Sequence, residues 1–375
     1  MTSTSSTDIL TKRQKKLTDL LTQNGFDAMA LNASPSQAYF SGLHFHIMER
    51  PAVLLLAPRQ EPILVLPAFE AGKTVGLGYE LRTVTYGEDP AGWQSSFDQA
   101  ARLLGAAKRI AVEGLHLRLM EERYLQAAFP GAAFEAAESL IAQLRMRKDE
   151  GELAAMQRAV QIAEAALEAT LPKVRIGMTE KQIAGELIQQ LFAHGSDPAL
   201  PFQPIVAAGP NSANPHATIS DRKVQKGDLL LFDWGASLDG YLSDLTRTFA
   251  VGELSEEFKH IYEVVKLANQ AGREVAKPGA PCSAVDEAAR DAIVDSGFGE
   301  YFTHRTGHGL GLEPHEEPYM RGGNQLKLEP RMTFTVEPGI YLAGRGGVRI
   351  EDNVVVTEDE ARSLSTFSRD LRVIG

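Results

Sequence analysis

Cysteine is nearly absent. Cys282 stands alone in 375 residues, which excludes an internal disulfide and any thiolate-ligated metal cluster. A reducing cytoplasmic compartment fits that usage. Long apolar runs are missing too: no stretch nears the roughly 18 residues of a membrane-spanning helix. Met1 to Thr7 are small and polar and no basic segment leads from them into an apolar run, so no signal peptide is expected. Positive charge is in deficit, with 38 lysines and arginines against 49 aspartates and glutamates and a formal charge of −11. Such a surface offers phosphate backbones little to hold, and the one basic run, Lys12 to Lys16, reads as a solvated helix face. Neither nucleic acid nor membrane is an expected partner.

What the chain does have is core-forming material. It is 43% hydrophobic and 23% charged, which excludes disorder and fibrous repeats. At about 150 residues per domain, two packed units are expected. From Lys12 to about Ser139, helical and strand patterns alternate as in an α/β unit. Helices are read at Lys12–Gln23, Phe97–Leu104 and Arg118–Ala128, and strands at Ala52–Leu56, Ile63–Leu66 and Arg109–Val112. An amphipathic segment from Leu140 to Leu171 carries a charged knot, Arg145 to Glu150, that marks a boundary. Thr179-Glu180-Lys181-Gln182 has the spacing of a capping box opening a helix that ends by Gly195. Strands at Leu229–Phe232 and Thr246–Val251, helices near Glu256–Ala276 and Ala284–Asp295, and strands near Met332–Val336 and Val348–Val356 follow. Helix, helix, strands, twice over, points to two similar halves around one site.

Asp233 closes the apolar run Leu229 to Phe232, where a lone carboxylate is costly. Asp244 follows after Gly235 and the turn formers Asp239-Gly240, so a hairpin should bring the two acids together. Two ionised carboxylates at close range repel unless a proton or a cation lies between them. His308 sits in Thr306-Gly307-His308-Gly309-Leu310-Gly311, where glycines let a ligand approach the backbone. Glu337 and Glu351 are acids within apolar strand patterns. Each feature alone has a bland reading, as a turn acid, a packed histidine or an edge-strand charge. Together, four carboxylates and one imidazole balance two divalent cations, and that oxygen-rich set suits Mn(II), Co(II) or Zn(II), with manganese favoured.

These residues resemble the prolidase and aminopeptidase P branch (M24B) of the pita-bread metallopeptidases, through several spaced motifs from about Leu140 to the C-terminus. The resemblance implies a mixed α/β (α+β) chain with an N-terminal creatinase-like α/β domain at 1–140 and a pita-bread catalytic domain at 141–375. It places the five metal ligands on Asp233, Asp244, His308, Glu337 and Glu351, with Asp244 and Glu351 bridging two ions. His216, in Asn214-Pro215-His216, matches a histidine that contacts substrate or intermediate, and His315 one that holds the scissile carbonyl. His304 matches a residue near the substrate, with a packing role equally open, and Arg349 an arginine that orients carboxylates. Glu337 would also shuttle the proton from the attacking water to the leaving nitrogen. Phe202 and Tyr241 are candidates to pack a proline ring, though core packing is the commoner role of such aromatics.

The resemblance further implies a peptide substrate containing proline, Xaa-Pro dipeptidase activity first, and a homodimer. Aminopeptidase P and a carboxypeptidase mode on longer peptides remain open, as does a non-catalytic binding module of the same fold. Methionine aminopeptidase fits less well, because the Glu337-Pro338-Gly339-Ile340-Tyr341 context and the N-terminal domain are not typical of it. Tyr39-Phe40-Ser41-Gly42-Leu43 resembles a family segment and precedes His44-Phe45-His46, a pair expected to tune peptide preference without binding a metal of its own.

Overall fold

The computed structural model describes residues 6–375. The chain forms two compact units that part between Arg145 and Met146, within the charged knot.

The first unit is built around one mixed sheet. Its elements are helices α1 (Ser6–Gln23) and α2 (Pro35–Ser41), strands β1 (Ala28–Leu31), β2 (Val53–Leu56), β3 (Ile63–Pro67) and β4 (Arg82–Tyr86), helix α3 (Trp93–Leu104), strand β5 (Arg109–Val112), helix α4 (Leu119–Ala128), strand β6 (Ala133–Ala136) and helix α5 (Glu138–Arg145). The sheet order is β4-β3-β2-β1-β5-β6, with β1, β5 and β6 parallel and β2 antiparallel to both its neighbours. β1, β2 and β3 are buried throughout their length, as their unbroken apolar runs require. The expected boundary at 140/141 falls inside α5, which packs on α1 through its buried face at Leu140 and Ile141. Leu140 to Leu171 is therefore two helices. Asp149 caps the second by accepting from the Glu152 N–H at 2.9 Å, while the Glu152 carboxylate accepts from the Asp149 N–H at 2.7 Å.

The second unit opens with α6 (Glu150–Thr170) and α7 (Glu180–Ala193), followed by β7 (Ile205–Ala208), β8 (Leu229–Trp234), the short β9 (Ser237–Leu238) and β10 (Tyr241–Leu242), and β11 (Leu245–Val251). Helices α8 (Glu256–Val275) and α9 (Cys282–Asp295) come next. Then follow β12 (Gly307–Gly309), β13 (Glu316–Met320), β14 (Thr333–Val336), β15 (Gly339–Leu342), β16 (Gly346–Arg349), β17 (Asp352–Val356), β18 (Ala361–Ser363) and β19 (Val373–Ile374). Two helices and then strands do occur twice. The first half contributes to a sheet of order β19-β11-β8-β7, the second to one of order β13-β12-β14-β17-β18, and β9–β10 and β15–β16 form two-stranded ribbons. Thr179 and Gln182 form the capping box of α7. Phe232, Trp234, Leu245 and Leu187 are fully buried in one core, where each large side chain contributes about 1.5–3 kcal/mol.

Candidate metal centre

β8 and β11 are antiparallel, with Asp233 opposite Thr246. The chain reverses between them through the β9–β10 ribbon, whose two-residue turn holds Asp239 at φ 53° and Gly240 at φ 78°. Both values are positive, as a type I′ hairpin turn requires. This hairpin brings Asp244, just ahead of β11, beside Asp233.

His308 is the middle residue of β12. A Cβ on Gly307 would stand 1.9 Å from the Thr335 carbonyl oxygen, and one on Gly309 2.3 Å from that of Glu317, so only glycine allows the strands to close on this histidine. The His308 Nδ1 lies 3.1 Å from the Gly309 carbonyl, so a proton there leaves Nε2 with its lone pair facing Glu337 Oε1 at 3.1 Å and Asp244 Oδ2 at 3.8 Å. Glu337 and Glu351 are not within strands, contrary to the alternation read in the sequence. Glu337 follows the end of β14, where Pro338 offers no N–H to continue the ladder, and Glu351 occupies the break between β16 and β17. There the Glu351 N–H donates to the Thr246 carbonyl at 3.1 Å, and the Thr246 hydroxyl donates to Glu351 Oε2 at 2.7 Å.

The donor atoms of three trios each lie within 4.8 Å of one another: Asp233, Asp244 and Glu351; His308, Glu337 and Glu351; Asp244, His308 and His315. Two buried carboxylate oxygens, Asp233 Oδ1 and Glu351 Oε1, have no hydrogen-bond partner among the described residues. A bare buried carboxylate oxygen is costly and calls for a cation. Burial and the neighbouring acids push the Asp244 and Glu351 carboxyls well above the usual range, and burial raises Asp233 as well, against the pull of Arg349. Burial also raises Glu337, but when His308 Nε2 carries a proton instead of a lone pair, its hydrogen bond to Glu337 and the nearby charges of His304 and Arg349 outweigh this and hold Glu337 down to about 2. The donor set fits hard divalent ions. It also corrects the expected charge cancellation: Arg349 donates to Asp233 Oδ2 at 2.5 Å, so the four ionised carboxylates with this one guanidinium carry −3 rather than −4.

Arg349 is nearly fully buried and ties the cluster together. Besides Asp233 it reaches the Thr246 hydroxyl at 3.0 Å and the Tyr341 hydroxyl at 3.0 Å, and Tyr341 meets His304 Nε2 at 2.8 Å. Burial lowers the His304 pKa. It also lowers that of His315, to about 4, helped by the charges of His308 and Arg305. The rings of His308 and His315 lie 3.8 Å apart.

A cavity of about 750 Å³ opens on this cluster, lined by all five proposed ligands and by Phe202, His216, His304, His315 and Arg349. Tyr241 lies elsewhere. The alternation of β10 turns it toward α6, where its hydroxyl donates to Glu152 at 2.9 Å and its ring packs on the core. Residues not singled out in the sequence join the lining, among them Gln203, Pro215, Arg305 and Glu313. Of these, Pro215 stands inside the Asn214-Pro215-His216 motif, and Arg305 lies just ahead of the glycine motif that begins at Thr306. His44 and His46 are exposed in a coil of the first unit, outside the three trios, with Lys73 donating to the His44 carbonyl at 3.2 Å.

Comparison with known proteins follows the same division. Residues 154–358 match the model of metallopeptidase family M24, and residues 13–147 that of the creatinase/prolidase N-terminal domain. The chain is 36% identical over 362 residues to an Xaa-Pro dipeptidase of Lactobacillus delbrueckii subsp. lactis, covering 96% of this chain and 98% of that protein. Its fold is similar to the crystal structure of a dipeptidase from Pyrococcus horikoshii, with a TM-score of 0.90 and 36% identity over 96% of this chain and all of that one. It is also similar to an X-Pro aminopeptidase from Thermotoga maritima, with a TM-score of 0.84 and 33% identity over 96% and 99% of the two chains.

Proposed function

We propose, for a chain that belongs to metallopeptidase family M24, an Xaa-Pro dipeptidase that works with two divalent ions, manganese by preference. The observation that carries the reading is the convergence of Asp233, Asp244, His308, Glu337 and Glu351 on one cavity wall with two carboxylate oxygens left bare. Asp233, Asp244, His308, Glu337 and Glu351 would hold the ions. Such ions, when held there, would supply Lewis acidity to the scissile carbonyl and to the attacking water.

The chain's own groups do the rest. Glu337 accepts the proton of the attacking water and passes it to the leaving nitrogen. Arg305 faces His315 Nδ1 at 3.3 Å, so the neutral ring keeps its Nε2–H to donate to the oxygen on which negative charge develops, and His216 donates from the opposite loop. Arg349 fixes Asp233 and, through Thr246, Glu351. The bond before proline is a tertiary amide without an N–H, and the apolar lining of Phe202, Ile205, Pro215 and Pro314 suits a pyrrolidine ring. No helix of the described residues is long and apolar enough to cross a membrane. A cytoplasmic setting, supported by the lone cysteine, and a homodimer, supported by the family resemblance, complete the proposal.

The test is product analysis. Metal-loaded protein is incubated with Xaa-Pro dipeptides, Xaa-Pro-Yaa tripeptides and longer peptides ending in proline. Turnover confined to dipeptides is expected. Release of Xaa from tripeptides would replace the reading with an aminopeptidase, the activity named for the Thermotoga maritima structure. Release of proline from long peptides would make it a carboxypeptidase, and ion binding without turnover would leave a binding module.

A further inference from the structure

Glu180, the first residue of α7, is fully buried, and among the described residues no cation pairs with it. Its cationic neighbours are engaged elsewhere, Lys181 with Asp221 and Arg222 with Asp228. Five hydrogen bonds satisfy the carboxylate instead. Oε1 accepts from the Ala208 N–H at 2.8 Å and from Asn211 Nδ2 at 2.9 Å; Oε2 accepts from Asn211 Nδ2 at 3.2 Å, the Ser220 N–H at 3.0 Å and the Ser220 hydroxyl at 2.6 Å. Ala208 and Ser220 are the two ends of the loop that carries His216. One buried charge thus clasps both ends of that loop, and hydrogen bonds to an ionised acceptor are about twice as strong as neutral ones.

Apart from this clasp, the Lys181 N–H ties the loop to α7 by donating to the Ser220 carbonyl at 3.2 Å. Ala217, Thr218 and Ile219 border a second cavity of about 580 Å³, together with Ala184, Gly185 and Ile188 of α7, so packing is sparse where the loop returns toward the helix. On the side of the metal centre the loop is held by two lighter ties, the Gly347 N–H to the Ser212 hydroxyl at 2.9 Å and Arg349 to the Pro215 carbonyl at 3.3 Å. His216 itself is exposed to the cavity, and its N–H donates to the Asn214 side chain at 3.1 Å.

We infer that Glu180 is a positioning residue for His216: it fixes where the imidazole meets the substrate without touching the substrate or the ions. The inference rests on the role given to His216 in the proposed dipeptidase. Glu180→Gln keeps the shape but turns an NH2 toward the donors of Ala208 or Ser220, which opens one end of the clasp.

The test is a double-mutant cycle on the full-length, metal-loaded protein with an Xaa-Pro dipeptide, comparing parent, Glu180→Gln, His216→Ala and the double variant, with bound metal measured in each. Glu180→Gln should lower kcat about 10- to 100-fold, as a misplacement of about 1 Å does, with metal content and KM within about twofold of the parent. In the His216→Ala background the same change should cost less than about twofold. A second readout needs no turnover: in the metal-free protein, the imidazole NMR signal missing from His216→Ala should be single in the parent and broadened or split in Glu180→Gln. An equal loss of kcat in both backgrounds, or an unchanged kcat in folded Glu180→Gln, overturns the inference and leaves the dipeptidase reading standing. Full activity of His216→Ala removes the role of His216 and the inference with it, while dipeptide turnover by the parent still stands. If Glu180→Gln does not fold, Ser220→Ala, which removes the 2.6 Å bond, takes its place in the cycle with the same two outcomes.

Discussion

Glu351 and Asp352 are neighbours in sequence, both buried, and opposite in electrostatics. Asp352 faces three arginines: Arg247 donates to Oδ1 at 2.8 Å, Arg369 to Oδ2 at 2.6 Å, and Arg273 lies 3.6 Å away, while the Ser365 hydroxyl adds a bond at 2.9 Å. Burial raises its carboxyl, but Arg247 and Arg369 outweigh that and hold it far below the usual range. Glu351, on the other face of the chain, receives one hydroxyl, keeps one bare oxygen and is pushed far above that range. This fold can fully pair a buried carboxylate. Where it leaves one unpaired beside three more, the proposed ions would be the missing partner.

The largest effect expected from breaking this contrast is on activity. Glu351→Gln should lower kcat/KM on an Xaa-Pro dipeptide by at least about 1,000-fold and reduce bound metal, while the melting point of the metal-free protein does not fall, since a repelling charge has gone. Asp352→Asn should do the reverse. It strands buried arginines, so urea denaturation should show a loss of about 3–5 kcal/mol, with activity retained per folded molecule.

Chelation sharpens the same contrast through pH. Asp244 and Glu351 have carboxyls raised in the folded state, so without ions their contribution is favourable at low pH and is lost as pH rises through the folded pKa. The melting point of chelated protein should therefore fall between pH 5 and pH 8 relative to that of metal-loaded protein. Equal melting curves across this range would count against bare carboxylates at the centre. The smallest effect is expected at Tyr241→Phe: about 1 kcal/mol of stability from the lost bond to Glu152, and kcat within about twofold, because this ring faces the core and not the cavity.

What was legible in the sequence follows from how local its cause is. The Asp239-Gly240 turn fixes its own hairpin, so the proximity of Asp233 and Asp244 is written in a dozen residues. Gly307 and Gly309 announce the close approach around His308 in the same way. The helices α4, α8 and α9 lie within two residues of their expected spans, while α3 starts four residues before the expected Phe97. The position of Glu351 at a strand break was hidden, since Val348 to Val356 is apolar enough to read as one strand and only Thr246, more than a hundred residues earlier, interrupts it. The direction of Tyr241 was hidden too, because alternation assigns a ring to a face but not the face to a cavity. Short β1, the seven-residue α2 and the clasp at Glu180 left no periodicity to read.

The main-chain bridge between Thr246 and Glu351 joins the sheet of the first half to that of the second. The acid proposed to hold the ions is therefore also the stitch on the seam between the two sheets. Filling the centre would rivet that seam from within, so slower deuterium uptake at these two amides would report ion loading even in a variant that has lost all turnover.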